Sequence, residues 1–190
     1  QTKMGLELFR TALQVALIVL AGGLAKSLFD QASKDRDRVI TLNEFRKDCI
    51  SRMVRATNQV RKAPLLIESH RTKEMYGGQM SSVLNARVEL SILRHDLVAA
   101  KAFSDSTEIV RCIREVEGYL DGLIDEWREK YRDLPEASPY DWLDIQDLEA
   151  LGDLRSKEPD SEFNRVYIPN YKAAVTLMRK EVWESVGMAS

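Results

Sequence analysis

The stretch DSTEIVRCIREVEGYLDGLIDEWREKYRDLP, residues 105–135, decides the fold. Ile109, Ile113, Val116, Leu120, Leu123, Trp127, Tyr131 and Leu134 recur at spacings of three and four, the repeat of one helix face, for about seven turns. Asp105-Ser106-Thr107-Glu108 has the form of a capping box at the start. Pro135 at the other end lacks the amide N–H that would carry the helix on. A helix this long with one apolar stripe needs other helices of similar length to cover it.

Its neighbours in the chain supply them. Before it, Val83, Ala86, Leu90, Leu93, Leu97 and Ala100 form a second three-four seam, and Leu84, Val88 and Ile92 add a parallel stripe. That wider surface predicts a helix touching two neighbours at the centre of a bundle. The short link from Ala102 to Asp105 makes the two helices an antiparallel hairpin. Further upstream, Thr41-Leu42-Asn43-Glu44 is another capping-box pattern. The periodicity of Phe45, Cys49, Met53, Ala56 and Val60 follows it, so a helix is expected from there to about Lys62, disturbed or ended at Pro64. The next helix starts by Lys73 or after Gly77-Gly78.

Residues 135–169 lack long periodicity, apart from a short helical stretch at Leu148, Leu151 and Leu154. A last helix after Pro169 carries Tyr171, Ala174, Val175, Met178, Val182 and Trp183 on its apolar face. With 44% apolar and 31% charged residues, nine Gly and five Pro in 190 residues, the composition is that of long helices with few turns. The fold class is all-α: an apolar N-terminal helix in residues 1–32, then an antiparallel bundle in residues 33–190.

The N-terminal segment has its own logic. Arg10 and Lys26 bracket fifteen uncharged residues, Thr11 to Ala25. Leu13, Val15, Leu17, Ile18, Val19, Leu20 and Leu24 leave this helix no polar face. Fifteen residues reach only about 22 Å, but with Leu6, Leu8, Phe9, Leu28 and Phe29 and snorkelling Arg10 and Lys26 the stretch spans a bilayer. A single-pass membrane anchor is the expectation; a buried core helix of a soluble protein and a secretory signal peptide cleaved near Gly23 or Ala25 are the other readings. Lys26, Lys34, Arg36 and Arg38 outweigh Lys3 and Arg10, so the body faces the cytoplasm, where those four residues can meet lipid headgroups. Ala12 and Ala16, and Ala21 and Ala25 beside Gly22, are small-xxx-small pairs of the kind that lets membrane helices approach closely.

Charge is divided along the chain. From Lys34 to Lys62 nine basic residues face four acidic ones, a net of +5, while from Asp105 to Glu162 eighteen acidic residues face seven basic ones, a net of −11. Glu117, Asp121 and Asp125 share one row, where they could hold a cation or a basic partner, or simply solvate a face beside the basic helix. That basic helix lacks interleaved aromatics and the whole chain has a net charge of −2, which argues against nucleic acid.

Signatures of chemistry are scarce. The sequence has no phosphate loop, paired CxxC, HExxH or nucleophile elbow, and no Glu-x-x-His that a di-iron bundle would need. His70 and His95 stand apart, and Cys49 and Cys112 sit on apolar faces as small hydrophobes. Trp127 and Tyr131 belong to the core stripe, leaving Trp142 as the aromatic expected at a protein interface. No cofactor, metal or small-molecule substrate is expected. The partners expected are membrane lipid, other proteins and a second copy of the chain, and the function is that of a non-enzymatic interaction, scaffold or assembly subunit. A soluble enzyme or ligand-binding bundle, with residues 11–25 as its core helix, is the alternative, and a nucleic-acid-binding regulator a third.

Overall fold

The computed structural model describes the backbone of residues 2–131 and 149–187, and the side chains of residues 31–184 within those spans apart from positions 32 and 35. Among the described residues every regular element is helical: α1 (Thr2–His70), α2 (Lys73–Ala100), α3 (Ser106–Tyr131), α4 (Glu149–Arg155), a π-helical turn (Phe163–Tyr167) and α5 (Ile168–Gly187). The chain divides into two compact units, Gln1–Glu44 and Phe45–Ser190. In the first, the described side chains from Gln31 to Leu42 are exposed.

The second unit is a ring of four long helices. Arg46 of α1 meets Glu181 of α5, Thr57 meets Tyr167 of the π turn, and Glu68 meets Arg155 at the end of α4. Residue numbers falling on one side as they rise on the other mean that these elements run antiparallel. The same holds for α2 and α3, where Arg94 bonds Glu117, Arg87 bonds Asp121 and Tyr76 packs on Tyr131. Arg52 of α1 reaches Glu89 and Asp96 of α2, and α3 packs along α5. Each long helix therefore lies between two others, in up-down-up-down order. Their stripes meet in one core, with Met53, Ile67, Leu90, Leu97, Ile113, Leu120, Tyr167 and Met178 all fully buried.

Two expected breaks in α1 are absent. At Thr41 the hydroxyl donates back to the Asp37 carbonyl at 2.9 Å, the bond of a helix interior, so the capping-box pattern starts nothing. At Pro64 the helix runs on to His70, because Val60, Ala63 and Ile67 are fully buried on either side. Burial of that stripe offsets the roughly 3 kcal/mol of the missing bond and the ring clash. α1 ends instead at His70, where the left-handed φ of 47° at Arg71 turns the chain while the Arg71 N–H still bonds the Ile67 carbonyl at 2.7 Å. Thr72 then caps α2 by accepting from the Met75 N–H. Gly77 lies inside α2 for a steric reason: a Cβ there would stand 2.7 Å from Tyr131 Oη.

The corner between α2 and α3 is closed by α5. Lys101 takes the left-handed conformation, Ala102 and Phe103 are buried, and the Ser104 N–H donates to Glu181 Oε1. The other oxygen of Glu181 accepts from Arg46, which also donates to the Ala102 carbonyl and lies over the Phe103 ring. Glu181, 7% exposed, thus takes the place on the inner edge of α5 that the sequence reading gave to Trp183. Trp183 is 75% exposed, since two residues further round the helix turn it away from the face of Ala174 and Met178.

Candidate functional site

Three surfaces of the second unit combine apolar and charged groups in ways that bear on function. The first is the outward side of α2. Val83, Ala86, Leu90, Leu93 and Leu97 face the core, but Val88 and Ile92 are 45% and 47% exposed, with Leu84 only partly covered. The second apolar stripe therefore does not mark a centrally buried helix; α2 meets its two neighbours through the inner stripe and through ion pairs. Arg87 and Arg94 turn to α3, Glu89 and Asp96 turn to Arg52 of α1, and between these rims lie Val88, Ser91, Ile92, His95 and Val98.

The second surface is a groove of about 950 Å³ between α1 and the side formed by α4, the π turn and α5. Its α1 wall runs from Asn58 to Glu68 and its other wall from Leu154 to Lys172. Pro169 explains the π turn: it has no N–H to bond a preceding carbonyl, the Ile168 N–H reaches back to Phe163, and the Asn170 side-chain amide takes up the Val166 carbonyl. The widened turn is anchored by Asn164, whose amide donates to the Ser156 and Glu158 carbonyls. Asp153 holds the same corner, accepting from the Glu162 and Phe163 N–H groups at 2.8 Å and from Tyr119 Oη at 3.0 Å.

The third is an acidic cleft of about 520 Å³ over Gly118 and Gly122 of α3, walled by Glu126, Glu149, Asp153 and Glu162. Two of its four carboxylates already have structural work: Glu126 accepts from the Ala150 N–H and from Lys130, and Asp153 caps the π turn. No metal-binding group of three His, Cys, Asp or Glu residues occurs among the described residues.

Burial sets the reactivity of the remaining groups. Cys49, fully buried, is pushed up to about 12 by desolvation, and Cys112 is also raised, so neither thiol ionises near neutral pH. Desolvation likewise raises Tyr119, with the Asp153 charge adding to it, and pushes Tyr167 up to about 12. These are core groups of a packed aromatic cluster, with Phe163 and Tyr167 stacked at 5.0 Å and Tyr119 edge-on to Tyr167 at 5.5 Å.

The residues singled out in the sequence scatter. Lys34, Arg36 and Arg38 are exposed on α1 in the first unit. Ala12, Ala16, Ala21, Gly22, Ala25, Lys26 and the anchor residues Leu13 to Leu24 belong to the helical backbone of α1, but their side chains lie outside the described residues, as does Trp142 altogether. Among the fully described residues no helix is long and apolar enough to cross a membrane. Of the acidic row, Glu117 and Asp121 pair with arginines of α2 rather than lying beside the basic Lys34–Lys62 segment, and Asp125 pairs with Arg128 on the surface. His70 and His95 are exposed. The basic groove was missed because its two walls are about a hundred residues apart in the chain, a proximity that no local spacing encodes. Comparison with protein-family models, curated proteins and solved structures gives no match.

Proposed function

We propose that the chain is a non-enzymatic, membrane-anchored helical bundle whose body faces the cytoplasm and which acts as an assembly subunit by binding other proteins and a second copy of itself. The anchor rests on the uncharged segment Thr11 to Ala25, and the orientation on the Lys and Arg residues that follow it. The supply of core side chains from Cys49 onward supports that reading over one in which residues 11–25 form the central helix of a soluble bundle.

The observation that carries the binding role is the outward face of α2. An isolated exposed Val or Ile needs no explanation, but Val88, Ile92 and Val98 share a helix side flanked by Arg87, Arg94, Glu89 and Asp96, each of which is held in an ion pair with a neighbouring helix. The rims differ in character, arginines toward α3 and carboxylates toward α1. Two copies related by a two-fold axis along α2 therefore set the arginine rim of one against the carboxylate rim of the other. Sedimentation of the full-length protein in mild detergent tests this. Wild type is expected to self-associate, and Val88→Glu with Ile92→Glu to be monomeric with an unchanged melting profile. A monomeric wild type, or equal association of the variant, removes α2 as the interface.

A further inference from the structure

We infer that the groove between α1 and the α4–α5 side binds an extended peptide segment of a partner protein, one in which carboxylates alternate with apolar side chains. The inference concerns a different surface from the outward face of α2 and does not depend on self-association.

Four cations, Arg61 and Lys62 on α1, Lys157 beyond α4 and Lys172 on α5, line this groove, and none of them is in an ion pair with another of the described residues. The single carboxylate of the lining, Glu68, is already matched by Arg155 at 2.6 Å. The groove is therefore a concentrated positive site on a chain whose net charge is −2. Between the cations lie apolar groups: Leu65 is 63% exposed, while Phe163 and Ile168 form the opposite wall. A ligand that uses the whole surface needs both anionic and apolar parts.

The geometry selects among anionic ligands. At about 950 Å³ the groove stands at the upper end of the range for small-molecule sites. None of its cations is buried, so nothing fixes the orientation of a compact ligand. Three of the four cations are lysines, point charges on flexible stems that suit a polyanion of variable shape better than one phosphate held by a fork. Phe163, 8% exposed, offers no free ring for a base to stack on, which disfavours single-stranded nucleic acid. A concave surface with cations on both walls suits an inserted chain better than a flat bilayer. The α1 wall is about 16 Å long, which an extended chain at about 3.3 Å per residue covers with roughly five residues.

Fluorescence anisotropy with full-length protein in mild detergent and a fluorescein-labelled Asp-Leu-Asp-Leu-Asp-Leu peptide tests the assignment. Saturable binding that weakens with added salt is expected, together with much weaker binding of the Ser-Leu counterpart. Lys62→Glu with Lys172→Glu should weaken the acidic peptide about tenfold, from reversal of two exposed charges. Leu65→Ser should weaken it a few-fold, and reversal of the exposed Arg114 on α3 should leave it unchanged. All variants should keep the wild-type melt, since the altered side chains are exposed. Equal affinity of wild type and the double reversal overturns the inference. So does equal binding of the Ser-Leu peptide, and so does a protein that ignores the acidic peptide but binds phosphatidylglycerol vesicles or oligo-dT through Lys62 and Lys172.

Discussion

Glu117 is 5% exposed, with one carboxylate oxygen on Arg94 at 2.8 Å and the other without a partner among the described residues. A buried charge of this kind is tolerable only while its partner stays. Arg94→Ala should therefore cost about 3–5 kcal/mol, while adding Glu117→Leu to it should restore most of the loss. Urea denaturation of the two variants checks this, and an equal cost for both would mean that the carboxylate is not strained by losing its arginine. The sequence held a sign of this burial. Ile113, Glu117, Leu120 and Ile124 follow a three-four stripe of their own, and all four are buried. Grouped instead with Asp121 and Asp125 at four-residue spacing, Glu117 looked like part of a solvated row. Side-chain type outweighed register in that reading, whereas in the bundle the register decided.

The helices of the second unit were legible where local signals and packing agree. α3 begins at Ser106, as its capping residues and periodicity indicate. Even there the reciprocal side-chain bonds of the box are not made among the described residues: the Glu108 N–H bonds the Asp105 backbone carbonyl, the Glu108 carboxylate pairs with Arg111, and Glu181 serves the Asp105 N–H at 3.3 Å. The breaks in α1 were misread because Thr41 and Pro64 carry strong local signals that a continuous buried stripe overrides. α3 also keeps two glycines, Gly118 and Gly122, where an added Cβ would meet nothing within 4 Å. Replacing either with Ala should stabilise the protein by up to about 1 kcal/mol, raising the melting temperature by about 2–4 °C. A calorimetric scan showing no gain would mean that the helix-propensity cost of glycine is already offset at these positions.

Across the whole second unit, no stretch of sequence announces how the ring closes, because closure rests on contacts between distant residues. Arg46, Ala102, Ser104 and Glu181 come from α1, the α2–α3 corner and α5, and they meet through the Arg46 guanidinium and the Glu181 carboxylate. That arrangement has a kinetic consequence. The Ser104 and Asp105 amides sit in a surface link, where hydrogen–deuterium exchange is ordinarily fast, yet their hydrogens are held by a residue on another helix. They should exchange slowly, at a rate set by how often the end of α5 lifts away. Glu181→Ala should release these two amides while leaving those in the middle of α2 and α3 protected. Fast exchange at both in the wild type would show that the carboxylate does not hold them. Otherwise this short link serves as a clock for the departure of a helix more than seventy residues further along the chain.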